Sequence, residues 1–329
     1  MKVLKNKLVR KSMAVATLLS TFLVVAIQPI ISVSAQNGDT TIKIGVLQHV
    51  EHEALNDAQQ GFVDRMNEEY GDRIEWDIQN ASGNMSGLQS IAEKLARESD
   101  VLYAIATPAA QALAAVETKK PIFFSAVAAP LQAGLVDSME EPGRNLTGTT
   151  NLGPIEDHVD LLIKNFPEAK TIGILYNSSE VNAQHQVDIA VEAMEARDLT
   201  PVLGTITSTN DIQQVLSSLL EEIDVLFMVT DNTVDSSIAL VGDMAKEAKI
   251  PTIGSSDSVV NANGLMTISN SYIDYGVQTA EMAIRYLEED LAVANMPVEI
   301  GKNFVMIVNE EFAKDIGLDP SALVELDYF

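Results

Sequence analysis

The stretch AKTIGILYN (169–177) has the same pattern as TTIKIGVLQ (40–48), and this repetition is the main evidence for the predicted fold. Later segments repeat in the same order: IDVLFMVTDN (223–232) resembles SDVLYAIATP (99–108), and AKIPTIGSS (248–256) resembles KKPIFFSAV (119–127). A segment with helical spacing precedes each of the later apolar runs. Similar segments in the same order indicate two units built to one plan.

Apolar strands alternate with amphipathic helices in both units, a pattern typical of parallel sheets covered on both faces. A length of 329 residues with 47% apolar residues is enough for two cores. We therefore predict an α/β fold with two Rossmann-like lobes, joined by several crossings that form a hinge. The predicted first lobe comprises 41–149 and about 270–292; the second comprises 150–269 and about 293–329.

Residues 1–35 have a basic start, a long apolar run and small residues before a cleavage point, as secretory signals do. The apolar run is also long enough for an uncleaved N-terminal anchor. We expect an exported protein on the extracellular face of the membrane, either secreted or held by that helix. The absence of cysteine excludes disulfides, thiol nucleophiles and lipid attachment to an N-terminal Cys.

The chain is strongly acidic, with a formal net charge of −26. The first 35 residues contain five basic residues and no acidic ones, so their removal changes the charge to −31. Such a surface repels phosphate backbones, and no basic cluster offsets it. Nucleic acid is therefore excluded as an expected partner.

Ligands of parallel α/β sheets bind beyond the carboxyl ends of the strands, where helix N-termini present unpaired N–H groups. If the lobes face each other, the strand ends of both line one cleft that closes about the hinge. The predicted ligand-binding residues at these ends are Gln48, Thr107, Pro108, Ala109, Gln111, Ser125, Ala126, Tyr176, Asn177, Glu180, Asn182, Thr230, Asp231, Asn232, Ser255 and Asp257.

Two helix starts among these residues have both a structural and a functional interpretation. Thr107 and Pro108 suit the start of a helix, and the same start can present backbone N–H groups to a ligand carboxylate. Asp231 suits an N-cap, worth about 1 kcal/mol, and equally a charge-assisted bond to a ligand ammonium. A helix start that binds an anion, together with a carboxylate that binds a cation, suits a zwitterionic ligand.

No catalytic or cofactor motif appears in the sequence. HVEHE (49–53) places two histidines three residues apart without a further ligand cluster, so we predict no metal site. No Ser-His-Asp arrangement, Walker loop or GxGxxG fingerprint is present, and we predict neither a cofactor nor an enzyme.

Several segments, taken together and in order, resemble the exported binding proteins of ABC transporters that include tryptophan-binding and related aromatic amino-acid-binding proteins. They are QHVEHEALNDAQQGF (48–62), NASGN (80–84), ATPAAQAL (106–113), AGLV (133–136), PGRNLTG (142–148), LYNSSEVN (175–182), VTDNTV (229–234) and IVNEEFAKDIGL (307–318). Three positions depart from the family: Ala128–Ala129–Pro130 replaces a Thr-Asp-Pro turn, Ala54 replaces a frequent Pro, and the lipid-attachment cysteine is missing.

The resemblance implies a type I periplasmic-binding-protein fold. It also implies a monomer that binds a small amino acid-like ligand, tryptophan or another aromatic amino acid, and delivers it to an ABC permease with a cytoplasmic ATPase. Two alternatives stay open at this point: a ligand-sensing module for a membrane receptor, and a binding protein for another kind of small molecule.

Overall fold

The computed structural model describes residues 41–254, 256–289 and 291–326, and from Thr40 onward the chain forms one compact unit. The predicted signal or anchor (1–35) and Ser255 lie outside the described residues. The strands are β1 Ile42–Gln48, β2 Ile74–Asn80, β3 Val101–Ile105, β4 Ile122–Ser125, β5 Leu146–Thr150, β6 Thr171–Asn177, β7 Thr200–Ile206, β8 Val225–Met228, β9 Thr252–Gly254, β10 Met266–Ser269, β11 Glu299–Ile300 and β12 Val305–Val308.

The helices alternate with these strands as the sequence pattern predicts. They are α1 Glu53–Tyr70, α2 Met85–Glu98, α3 Thr107–Val116, α4 Ile155–Asn165, α5 Val181–Glu195, α6 Ile212–Leu220, α7 Asn232–Asp235, α8 Ile238–Ala248, α9 Asp257–Asn261, α10 Tyr272–Glu288 and α11 Glu310–Asp315. Across the described stretches, no helix combines the length and the apolar character needed to cross a membrane.

Two six-stranded sheets confirm the predicted pair of Rossmann-like lobes. The first sheet has the order β11-β5-β4-β3-β1-β2, with every pair parallel, and the second has the order β12-β10-β9-β8-β6-β7. Only β12 is antiparallel in the second sheet. Because β1 and β6 lie next to the central strands and end in polar residues, the carboxyl ends of both sheets carry the polar loops.

Within the described residues, the chain passes between the lobes three times. Residues 151–154 lead from β5 to α4 in the second lobe, and residues 270–271 lead from β10 to α10, which packs against α1 in the first lobe. The third crossing lies between β11 and β12. The boundary expected at about residue 293 therefore differs from the sheet pairing, because β11 is bonded to β5 in the first sheet.

Each lobe has its own apolar core. The first sheet buries Phe123 on one face and Phe124 on the other, since side chains alternate along a strand. The second lobe has one continuous core around Phe227 and Leu175. Because each sheet has its own core, the crossings are the covalent links between the two lobes, as in hinged two-lobed proteins.

Candidate functional site

Two adjoining cavities lie at the carboxyl ends of the strands, between the lobes. The outer cavity has a volume of about 680 Å³, and the inner cavity, next to the crossing at 151–154, has a volume of about 10 Å³. Asn182 and Asn232 line both cavities. The outer volume falls in the range of about 300–1,000 Å³ that small-molecule sites occupy.

The outer cavity contains the start of α3. Thr107, Pro108 and Gln111 line it from the first lobe, and Asn177 and Glu180 line it from the second. The Oγ1 of Thr107 is buried and has no hydrogen-bond partner within the described part of the chain. Residues that the sequence prediction missed also line this cavity: His49, Val50, Ser82, Gly83, Met85, Ser179, Val181, Thr207, Ser208, Thr209, Thr233 and Ser236.

The inner cavity combines residues of both lobes and of the first crossing. Ala126, Thr230 and Asp231, all predicted from the sequence, line it together with Ala128 and Leu55. Four polar residues that the sequence prediction did not assign to a ligand site complete the lining: His52, Asn151, Asp235 and Tyr272.

The backbone of the first lobe adopts an uncommon conformation at two strand ends. Ala106, after β3, has φ 78°, and Ala126, after β4, has φ 57°. Left-handed backbone at residues other than glycine costs of order 1–3 kcal/mol and clusters at functional sites. Ala126 lines the inner cavity, and Ala106 directly precedes Thr107, which lines the outer cavity.

Asp231 is held by three backbone N–H groups. One of its oxygens accepts from Thr233 N and Val234 N, both at 2.9 Å, and the other accepts from Asn177 N at 2.6 Å. The carboxylate therefore caps its own helix and ties β6 to the end of β8. Burial, reinforced by the charge of Glu180, nevertheless raises the pKa of Asp231 to about 7.

Both carboxylate oxygens of Glu180 also accept hydrogen bonds. Its Oε2 accepts from the backbone and side-chain nitrogens of Asn232 at 3.0 and 2.6 Å, and its Oε1 accepts from the backbone N and the hydroxyl of Thr233 at 3.0 and 2.7 Å. Thr230 is bonded to the buried amide of Gln186. These side chains fix the second lobe's wall of the cleft in one arrangement.

Other buried polar atoms around the cavities lack such partners. Among the described residues, none bonds to Oδ1 of Asn151, Asn182 or Asp235, or to either ring nitrogen of His52. An unpaired buried polar group costs about 1–3 kcal/mol, so their convergence on one cavity requires an explanation. Burial lowers the pKa of His52 to about 4, with His49 adding in the same direction. The imidazole of His52 is therefore neutral.

Several predicted ligand residues lie away from both cavities. Ser125 is buried in the first lobe, where its hydroxyl bonds to Tyr103 and Thr279. Gln48 donates to Val50 O and to Asn56 Oδ1. Ala109 and Tyr176 are buried within their lobes. The structure therefore does not bring these four side chains to the cleft.

Asp257 lies at the start of α9, where the second lobe faces α1 of the first. Burial raises the pKa of Asp257 to about 6, and Asp57 and Glu53 of α1 add to the shift. Asn261, one turn further along α9, donates to Glu53 Oε1 at 3.3 Å. Asp257 is therefore a carboxylate at the contact between the lobes, outside both cavities.

Comparison with known proteins identifies the family. A model of the family described as "ABC transporter substrate binding protein" matches residues 43–324. The chain is 36% identical over 289 residues to a tyrosine-binding protein of Clostridioides difficile (strain R20291), covering 87% of this chain and 84% of that protein.

Two solved structures show the same architecture. An ABC domain in complex with L-Trp from Streptococcus pneumonia has a TM-score of 0.82 at 31% identity, covering 86% of this chain and 98% of that one. The ligand-free, open structure of a substrate-binding protein with adhesive properties from Clostridium difficile has a TM-score of 0.67 at 38% identity, covering 85% and 96%. These matches confirm the type I periplasmic-binding-protein fold, and the chain belongs to the family of ABC transporter substrate-binding proteins.

Proposed function

We propose that this protein is an extracellular solute-binding protein that holds an aromatic amino acid, tryptophan or tyrosine, between its lobes and delivers it to an ABC permease. One observation carries the proposal. Buried polar atoms without partners, contributed by both lobes and by the crossing between them, converge on the same cleft. A ligand that bonds to them would offset the cost of burying them unpaired.

The cleft has the chemistry of a zwitterion site. The N-terminus of α3, which has no side-chain cap, and the unpartnered hydroxyl of Thr107 would take the ligand carboxylate. No lysine or arginine is among the described residues that line either cavity, so a guanidinium or ammonium of the protein does not fill this role. The outer cavity has the volume for an aromatic ring, with Val50, Pro108 and Val181 on its walls.

The relatives support both the ligand class and the closing movement. The two proteins with aromatic ligands in their names are more than 30% identical to this chain. The TM-score is higher against the L-Trp complex than against the ligand-free, open structure, although the identity is lower. That order is expected if the lobes of this chain are arranged as in a ligand-bound member. Ligand binding would then stabilise the closed form, which the permease recognises.

The proposed site keeps the sequence-predicted residues that line the cavities. They are Thr107, Pro108, Gln111, Ala126, Asn177, Glu180, Asn182, Thr230, Asp231 and Asn232. Glu180 and Asp231 would act mainly through the residues they hold in place, because their oxygens already accept several hydrogen bonds.

Thermal unfolding of the full-length chain against the twenty amino acids, nucleosides and simple sugars tests the proposal. We expect tryptophan or tyrosine to raise the melting temperature, with a shift that grows with the logarithm of ligand concentration. Recovery of the ligand unchanged after incubation would agree with a binding protein rather than an enzyme. A shift with a sugar or nucleoside and none with any amino acid would overturn the ligand assignment.

Transport itself needs a cellular measurement. Cells that lack this protein should lose uptake of the labelled amino acid, and restoring the chain should restore uptake. A variant that carries Thr107→Val keeps the β-branched shape but lacks the hydroxyl, so it should restore uptake only at higher ligand concentration. Normal uptake without the protein would instead favour a ligand sensor for a membrane receptor.

A further inference from the structure

The inner cavity offers three buried oxygen atoms without partners as hydrogen-bond acceptors, together with one N–H donor from the neutral ring of His52. Its unpartnered oxygens are the Oδ1 atoms of Asn151, Asn182 and Asp235, and all three side chains are about 95% buried. Asn151 comes from the first crossing, whereas Asn182 and Asp235 come from α5 and α7 of the second lobe. The first lobe contributes the neutral ring of His52.

The orientation of the Asn182 amide follows from its other bonds. Asn182 Nδ2 donates to Thr230 O at 3.3 Å and to Glu180 Oε2 at 3.4 Å, and both of these atoms are acceptors only. Asn151 Nδ2 donates to Tyr272 OH at 2.8 Å. Turning the Asn182 amide over would set its oxygen against two acceptors. Its carbonyl oxygen must therefore be the end that faces the cavity.

Asp235 differs from the two carboxylates beside it. Asp231 and Glu180 already accept hydrogen bonds at both oxygens, whereas Oδ1 of Asp235 accepts none from the described residues. Asp231 and Glu180 also raise the pKa of Asp235, after burial itself. The site therefore favours a positive charge close to Asp235, which would relieve the repulsion among three buried carboxyl groups.

A primary ammonium group matches this set of acceptors in number, charge and size. It carries three N–H donors and no acceptor, and the cavity of about 10 Å³ has room for one group the size of a water molecule. We propose that the inner cavity binds the primary ammonium group of the ligand, with Asn151, Asn182 and Asp235 accepting its three hydrogens. This inference rests on the proposed function, because it assigns one end of the ligand that the cleft holds.

The assignment makes the amine the most strongly selected part of the ligand. An N-acetyl group would replace two of the three N–H donors and exceed the cavity volume. A desamino analogue would leave Asp235 and both amide oxygens unpaired once the lobes close. A site built to bond a polar group rejects analogues that lack it more strongly than a hydrophobic pocket rejects a smaller ring.

Isothermal titration calorimetry with the full-length chain tests the inference. The probes are L-tryptophan and L-tyrosine, their desamino acids (the corresponding 3-arylpropanoates), and the amines tryptamine and tyramine. We expect the amino acids to bind at least about 30-fold more tightly than the desamino acids, equivalent to about 2 kcal/mol at 1.4 kcal/mol per tenfold. In Asp235→Asn, which keeps the shape and removes the charge, this ratio should fall toward one.

Asp243→Asn is the matched control, because Asp243 is exposed on α8 and bonds to Asn263. It should leave both the affinities and their ratio unchanged. The ligand-free melting temperature is a second readout. Because Asp235 is a buried carboxyl with a raised pKa, its neutral replacement should not lower the melting temperature at neutral pH. A loss of binding together with an unaltered fold therefore locates the defect in recognition.

The possible outcomes separate this inference from the proposed function. Tight binding of the desamino acids, or an unchanged ratio in Asp235→Asn, would overturn the ammonium site while leaving amino-acid binding intact. Binding of the amines, lost in Asp235→Asn, without binding of the amino acids would support the ammonium site and overturn the proposed ligand. Binding of none of these probes would overturn both.

Discussion

The two sides of the cleft are built by different means. In the first lobe, the loops after β3 and β4 are placed by left-handed backbone at Ala106 and Ala126, and the polar atoms of Thr107 and His52 remain without partners in the described chain. In the second lobe, Glu180 and Asp231 bond the loop after β8 to β6 and to the loop before α5. One wall is fixed by backbone and small residues, and the other by side-chain hydrogen bonds.

A polar residue at a strand end is therefore not by itself a ligand contact. Asp231 and Asp235 lie four residues apart and line the same cavity. The first accepts three backbone N–H groups, whereas an oxygen of the second has no bond among the described residues. The free acceptor, and not the most heavily bonded carboxylate, is the atom with capacity for a ligand.

Asp231→Ala should have the largest effect on stability. It removes the acceptor of three backbone N–H groups, two of them at the start of α7 and one at the end of β6. We expect the free energy of unfolding to fall by about 3 kcal/mol, more than the about 1 kcal/mol of an ordinary cap, because buried donors stay unpaired. Urea denaturation measures this loss.

Asp319→Ala is the control for that variant, since Asp319 is an exposed cap that accepts from Ser321. The loss of stability in Asp319→Ala should be clearly smaller than in Asp231→Ala, because water can replace the bonds of an exposed cap. Equal losses in the two variants would contradict a role for Asp231 in joining β6 to β8.

Gly61→Ala should have the next largest effect, and it tests the first lobe. A Cβ at Gly61 would lie 2.1 Å from the carbonyl oxygen of Ile273, at the contact of α1 with α10. The three nearest atoms all belong to the backbone of Ile273, so the helices must separate, at a cost of about 2 kcal/mol.

Gly87→Ala is the matched change in α2, where the nearest atom to a Cβ is 3.6 Å away. It should stabilise the protein by up to about 1 kcal/mol, because alanine favours the helix. Urea denaturation of both variants provides the comparison. A tolerated Gly61→Ala would show that the α1–α10 contact can relax.

Ligand affinity should depend on pH through Asp235. Burial raises the pKa of Asp235, and an ammonium binds its ionised form, so binding below that pKa must first remove a proton. Affinity should therefore fall as pH falls, by up to about tenfold per pH unit. The groups that face Asp235 are Asp231, Glu180, His52 and Tyr272. His52, with a pKa of about 4, stays neutral and does not produce this trend.

Calorimetric titrations from about pH 8 to about pH 5 measure the dependence. Titrations in two buffers of different ionisation enthalpy would count the proton released on binding. Affinity that is constant over this range, with no proton release, would contradict a change of Asp235 from protonated to ionised on ligand binding.

The sequence predicts the architecture well, because the periodicity of apolar residues and the order of strands and helices can both be read along the chain. The paired segments 40–48 and 169–177 became β1 and β6, adjacent to equivalent neighbours in their sheets. The short strand β11 was missed, since two residues, Glu299–Ile300, carry no periodicity and owe their strand to pairing with β5.

The location of the site could be predicted from the sequence, but many of the side chains that line it could not. Strand ends can be read along the chain, whereas the direction of a side chain depends on its partners. Ser125 ends β4 yet bonds within the core, and Asn151 looked like part of a linker yet lines the inner cavity. For Asp235, the sequence did contain a usable signal. It follows Asp231 by four residues, about one helical turn, which places both side chains on the same face of a helix.

Asp257→Asn should have the smallest effect, and its sign decides between two roles. As a ligand contact, Asp257 would lose affinity when neutralised. In the structure it faces Asp57 and Glu53 across the contact between the lobes, where like charges oppose closure. We therefore expect Asp257→Asn to strengthen binding, by up to about fivefold, since partly exposed charges contribute at most about 1 kcal/mol. Protonation of Asp257 near its pKa of about 6 removes the same repulsion between the lobes. This effect partly offsets the loss of affinity that Asp235 causes at low pH. Calorimetry measures the change in affinity, with Asp243→Asn as the control. Weaker binding in Asp257→Asn would indicate that Asp257 contacts the ligand.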